Sequence, residues 1–219
     1  YNNYSEIKII LRKNNNWNNI IKVEKPKYLT STKAVYDDII FYGGNEFNNF
    51  DTSQIKSNNY RIKNWSLSDI YESFLVPDEF DKNEIYNYNP DINGGFVIDS
   101  NEKENNNYEA DYVRVFFEFK KSNFNTKDEI YLIGKFNDFN ENNHYKLSFD
   151  SSINSFTGSF LFKQGFYNYK YASKIDLNSN KLKNIENNFW QTENLYTVLI
   201  YFKKNYEKFF RVIGFNTLN

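Results

Sequence analysis

The chain has 219 residues, enough to bury a substantial core as one large domain or two small ones. Its 27 Lys and Arg are balanced by 28 Asp and Glu, so it lacks the positive surplus of an electrostatic nucleic-acid binder. Cysteine is absent, which excludes disulfides and thiolate metal sites, and no apolar run reaches the ~20 residues that a membrane-spanning helix needs.

Phe, Tyr and Trp make up 20% of the residues, and such rings favour pleated strands. Methionine is absent and the chain begins at Tyr1, as expected of a piece of a longer protein, in which any targeting signal would lie elsewhere. In chain order, period-2 segments are read at "EIKIIL" (6–11), "VYDDIIF" (35–41), "YRIKNW" (60–65), "YESFLV" (71–76) and "FVID" (96–99). "ADYVRVFFEF" sets Val113, Val115, Phe117 and Phe119 on one face. "SFTGSFLF" aligns Phe156, Phe160 and Phe162. Next, Lys163, Gln164, Gly165 and Phe166 read as a hairpin loop, with Gly165 at positive φ, leading into a strand that aligns Tyr167, Tyr169 and Tyr171. "YTVLIYF" aligns Tyr196, Val198, Ile200 and Phe202. No long amphipathic helix is found. The fold class is all-β, as antiparallel β-sandwich domains.

A boundary is expected at the polar stretch "SNEKENNNYE" (100–109), separating a β-rich domain at 1–107 from a β-sandwich of immunoglobulin size at 108–219. The asparagine clusters at 14–16 and 105–107 read as loops.

Catalytic signatures are missing. His144 is the one histidine, in the polar loop "NENNHYK", with no nucleophile and orienting carboxylate beside it. "GGNEF" has the wrong glycine spacing for a phosphate loop. "PDINGGFVIDSNE" invites a calcium loop through Asp91, Asn93 and Asp99, but Gly95 stands at a ligand position, and Pro90, Asn93, Gly94 and Gly95 suit a turn. The carboxylate pairs Asp37/Asp38, Asp78/Glu79 and Glu79/Asp81 read as solvated loop acids. The expectation is a non-enzymatic protein with no cofactor and no metal.

Seven strings taken together carry more information: "GGNEFNNFD" (43–51), "PDINGGFVI" (90–98), "ADYVRVFFEF" (110–119), "IYLIGKFNDF" (130–139), "LFKQGFYNYKY" (161–171), "TENLYTVLIYF" (192–202) and "FFRVIGFNTLN" (209–219). In this order they resemble the C-terminal portion of the plug-protein family of the bacterial type IX secretion system, found in the Bacteroidetes. Asn48 stands where that family commonly has Arg, Phe139 where it has Trp, and Phe209, Phe210 and Arg211 replace a Tyr-Asp-Arg-type stretch. The resemblance implies an immunoglobulin-like, early-set sandwich. The implied role is that of a periplasmic plug, peripheral to the outer membrane, which occludes the mouth of a large translocon barrel without spanning the membrane itself.

The motif residues have a structural reading first and a partner-binding reading second. Asn45, Glu46, Phe47, Phe50 and Asp51 form the first group. Phe139 is the second, and Lys163, Gln164 and Gly165, with Tyr167 and Tyr169 behind them, the third. Thr192, Glu193 and Asn194 complete the set. A competing resemblance is to glycogen- and starch-binding modules, through "YLIGKFNDFN" and "FYNYKY". Those modules use exposed Trp, so a buried Trp190 would count against that alternative.

Overall fold

The structure, a computed structural model, describes residues 7–23, 25–30, 32–80, 83–101, 106–120, 124–174 and 182–219. Backbone proximity divides the chain into two compact units, one of Tyr1–Gly43 with Phe189–Asn219 and one of Gly44–Asn188. The expected boundary at 100–109 therefore falls inside the second unit. The strands on either side of it, Phe96–Ile98 and Tyr112–Lys120, belong to one sheet system.

The first unit contains β1 (Ile7–Lys13), β2 (Ile20–Val23), β3 (Tyr28–Leu29) and β4 (Ala34–Val35). The second contains β5 (Asn48–Asp51), β6 (Ile62–Leu67), β7 (Tyr71–Leu75), β8 (Phe96–Ile98), β9 (Tyr112–Lys120), β10 (Glu129–Ile133), β11 (Lys146–Asp150), β12 (Ser155–Lys163), β13 (Gly165–Lys174) and β14 (Lys183–Asn184). The chain then returns to the first unit for β15 (Tyr196–Phe202) and β16 (Arg211–Leu218). Helix among the described residues amounts to a single α turn at Asn106–Glu109 and two 3-10 turns.

In the second unit the strands follow the order β14-β13-β10-β11-β12-β9-β7-β6, with β5 and β8 also paired to β13. The pairs are antiparallel except β7 with β9, which run parallel from Tyr71/Val113 to Phe74/Phe116. This sheet nearly closes on itself. At the seam, Arg61 Nε donates to the Asn49 carbonyl at 3.2 Å and Asn59 Nδ2 to the Asp51 carbonyl at 3.1 Å, so side chains bridge β5 to the approach of β6 where no ladder does. Alternation then sends every second side chain inwards. Val113, Val115, Phe117 and Phe119 of β9, Phe156, Phe160 and Phe162 of β12, and Tyr167, Tyr169 and Tyr171 of β13 share one core with Phe50 and Leu132. The face assignments made from the sequence hold for all three strands.

Two local expectations fail. Residues 36–41 form no strand, and Asp38 there has φ of 57°, a left-handed conformation that breaks an extended run. Nor are β12 and β13 a hairpin. β12 pairs with β9 and β11, while β13 pairs with β5, β8, β10 and β14. Gln164 carries the chain from one part of the sheet to another as a buried corner, 1% exposed. Its side chain explains why: Oε1 accepts from the Asp111 amide at 2.7 Å, and Nε2 donates to the Ser53 carbonyl at 3.4 Å. Gly165 does adopt positive φ, 151°, and a Cβ there would lie 2.1 Å from the Val97 carbonyl oxygen.

The first unit is a four-stranded antiparallel sheet in the order β16-β15-β1-β2, with the small β3-β4 hairpin as a separate pair.

Candidate functional site

Four of the resemblance-bearing strings, lying between residues 43 and 171, meet around Phe47, Gly94, Phe139 and Asn168. At the centre is the turn Ile92–Gly95, closed by the Gly95 amide on the Ile92 carbonyl at 3.0 Å. Asn93 and Gly94 both have positive φ, 55° and 79°, the pattern that Asn-Gly supplies at the centre of a tight turn. Asp91 splits its carboxylate between the amides of Asn93 and Phe47, each at 2.5 Å. Burial pushes the Asp91 carboxyl upward, while those two amides hold it down. Fully buried Asn168 accepts the Ile92 amide at 2.7 Å and the Gly94 amide at 3.3 Å. Phe47 packs edge-on to Phe139 at 6.2 Å. A side chain on Gly94 would strike both rings. Asp91, the first acid of the stretch that invites a calcium loop, thus serves the backbone, and among the described residues no group of three or more His, Asp or Glu is arranged to hold a metal ion.

Behind this turn lies a row of buried charges that sequence reading missed. Lys170 alternates with the core tyrosines on β13 and points to the other side. Its ammonium donates to the Asn45 carbonyl, lies 4.1 Å from the centre of the Phe47 ring and faces Glu186 at 3.8 Å. Both Glu186 oxygens are buried and accept no hydrogen bond. Burial pushes the Glu186 carboxyl up to about 7 and pulls the Lys170 ammonium down. On the core side, Asp78 accepts the hydroxyls of Tyr169 at 2.8 Å and Tyr171 at 2.7 Å, and pairs with Arg61 at 2.5 Å. Burial drives both phenol pKa values upward, so both phenols stay protonated donors. Lys, Arg and acids scattered among Asn-rich loops carry no spacing signal of their own. The one legible hint was Lys170 within a run of strand residues.

The expected partner-binding residues are mostly interior. Glu46, Phe47, Phe50, Phe139, Gln164, Tyr167 and Tyr169 are buried. Asn45 accepts the Glu46 amide, and Asp51 caps a turn through the Ser53 amide. Tyr167 spans a stack, its ring lying parallel to Phe50 at 5.1 Å and to Phe96 at 5.3 Å. Lys163 is half-buried beside the corner rather than at a tip. In the first unit, Thr192 and Asn194 are buried and Glu193 is exposed. Asn194 binds the Gly43 and Thr192 carbonyls at 3.2 and 2.8 Å, and accepts from Asn14 at 2.9 Å. Exposed His144 donates its amide to Asn142, whose side chain caps the turn.

Trp190 is 85% exposed. A groove of ≈ 360 Å³ runs over the outer side of β6, β7, β9 and β12 and is lined by Lys63, Phe74, Phe116, Glu118, Thr157 and Ser159. Phe74 and Phe116 are stacked there at 4.5 Å.

These features define a nearly all-β chain of antiparallel sheets, one of them almost closed into a barrel. A solved structure of this kind is a hypothetical protein from Parabacteroides merdae ATCC 43184, to which the chain is similar with a TM-score of 0.86 and 26% identity. The match covers 98% of this chain and 55% of that one, so the chain spans little more than half of its neighbour's length. No family model and no curated protein matches the chain. Among the described residues no helix is long and apolar enough to cross a membrane.

Proposed function

We propose that the chain belongs to a non-enzymatic plug of the type IX secretion system, a periplasmic protein that closes the outer-membrane translocon barrel when no substrate is passing. The observation that carries this reading is the knot just described. Four of the seven strings resembling the plug family, remote in sequence, hold one another through Asp91, Asn168 and the Phe47–Phe139 contact. Strings that answer to one another in space are what a shared fold requires, and chance matches have no reason to do so. The neighbour's source, a member of the Bacteroidetes, agrees with the family's distribution.

The finer fold that goes with this reading is an immunoglobulin-like, early-set sandwich, and the corner at Gln164, where the chain passes from one part of the sheet to another, suits it. A plug must be stiff and must detach. The aromatic core with its internally bonded Asp78 and Lys170 supplies the stiffness. An interface of ordinary size, about 1,600 Å² in total, would then rest on exposed side chains and not on the buried motif residues. The test is co-purification of the whole natural polypeptide with the translocon barrel from outer membranes. No association, together with unchanged sealing of the membrane when the protein is deleted, would overturn the reading.

A second reading, a glycan-binding module, is favoured by the groove with its stacked Phe74 and Phe116 flanked by Lys63, Glu118, Thr157 and Ser159, and by the exposure of Trp190. Aromatic faces beside polar groups suit sugar rings. Titration calorimetry with soluble starch decides it: heat that disappears in Phe116→Ala supports this module, and heat of dilution alone disposes of it.

A further inference from the structure

The sheet of the first unit is built as half of a core. Its register places Ile7, Ile9 and Leu11 of β1 opposite Phe202, Ile200 and Val198 of β15. The same face continues through Val23 and Ile21 of β2 on one side, and through Gly214, Asn216 and Leu218 of β16 on the other. The only charges in register on it are at its ends. Lys13 turns its ammonium to the Tyr42 and Gly43 carbonyls, and Arg211 lies over Phe202. The opposite face is mixed, with Lys8, Arg12 and Lys22 between its apolar residues. Yet no apolar side chain among the described residues of this unit is buried.

The edges differ in the same sense. β2 is short and carries a lysine, a usual protection against strand addition. At the other edge β16 is eight residues long, its only charge is Arg211, and Val212, Ile213, Phe215 and Leu218 are all more than half exposed. One bulge interrupts its pairing near Ile200, and the register continues from Gly214 to Leu218.

We infer that this apolar face and the β16 edge are completed by a β-rich segment of the same natural polypeptide lying outside the 219 residues, which adds a strand to β16 and folds back over the face. The length of the neighbour supports this occupant: it matches along 98% of this chain, and 45% of it has no counterpart here. One segment can satisfy both features because the open edge and the half-buried apolar face meet at β16, where Leu218 lies on that face while Val212 and Phe215 lie on the mixed one. A sheet with one apolar face also needs a second layer to be stable. The inference does not depend on the plug reading.

The absence of native cysteine gives a direct test. Asn216→Cys places a thiol on the face at β16, and Gln54→Cys places one in an exposed turn of the second unit as a control. Both are made in the 219-residue chain and in the whole polypeptide, with any other cysteine there replaced by serine, and maleimide labelling is timed. The expected result is labelling at 216 slowed by about tenfold or more in the whole polypeptide alone, with the control unchanged and no dependence on protein concentration. Equal rates at 216 in the two chains would overturn the inference. So would slowing in the 219-residue chain that grows with its own concentration, since a second copy would then be the occupant. Slowing of the whole polypeptide only after another protein is added would overturn it in favour of a separate partner.

Discussion

The second unit and the first use the same strand grammar and bury opposite things. In β9, β12 and β13, alternate rings and aliphatics converge on one core, and Phe50 at its centre is 0% exposed. In β1 and β15 the alternation is as regular, but Val198, Ile200 and Phe202 are only partly buried. What the first unit buries is polar: Lys13, Asn14, Thr192, Asn194 and Thr197, tied together by amide and carbonyl bonds such as Asn14 to Asn194. Periodicity reports how a strand is pleated; the number of layers lying on it depends on chain elsewhere.

If the second unit owes its stability to its core, Phe50→Ala should be the most costly change. Phe50 touches Phe117, Phe162, Tyr167 and Tyr169 at 5.1–5.9 Å between ring centres. Its truncation is expected to lower unfolding free energy by about 3–5 kcal/mol in urea denaturation. A loss below about 1 kcal/mol would mean that the rings repack freely and that the contrast between the units is false.

Next in size is a pH effect on the buried charges. The folded Glu186 carboxyl sits at about 7 against an ordinary 4.5, so the folded state binds its proton more tightly than the unfolded chain does. Stability from this group is therefore complete below about pH 4.5 and is lost as pH rises through about 7, a swing of up to about 3 kcal/mol. Lys170, Asp78, Glu84 and Asp91 all bear on it, and burial lowers the Lys170 ammonium itself. Glu186→Gln should flatten stability between pH 5 and pH 8, measured by chemical denaturation at each pH. An unchanged slope would place the titration elsewhere.

The corner ranks third. Gly165→Ala must fit a Cβ against the Val97 carbonyl at a φ that L residues rarely adopt, and about 2 kcal/mol or more should be lost. Had 163–166 been the hairpin tip suggested by the sequence, the same change would have met the φ strain alone, with no carbonyl in the way of the Cβ. Here lies the limit of what the residues alone disclosed. Inward faces were legible because alternation is a local property, and the Asn-Gly turn was legible because its φ requirement is local too. That Gln164 would be bonded to Asp111 and Ser53, and so turn the chain from one part of the sheet to another, depends on residues 53 and 111 positions away. The cluster of Lys170, Glu186 and Asp78 is likewise assembled by topology, with no spacing to announce it.

The smallest effect is expected where the first unit is probed as the second was. Ile200→Ala removes a residue from the middle of a regular strand, opposite Ile9 on one side and Gly214 on the other. In a covered core such a change costs about 2–5 kcal/mol. With Ile200 only partly buried in the 219-residue chain, it has less packing to lose than a core residue, and about 1 kcal/mol or less should disappear from the unfolding free energy. The same substitution in the whole polypeptide should approach the core value if a further strand layer lies over this face. A large loss in the 219-residue chain itself would mean that the sheet is already packed, and the distinction between the two units would fall.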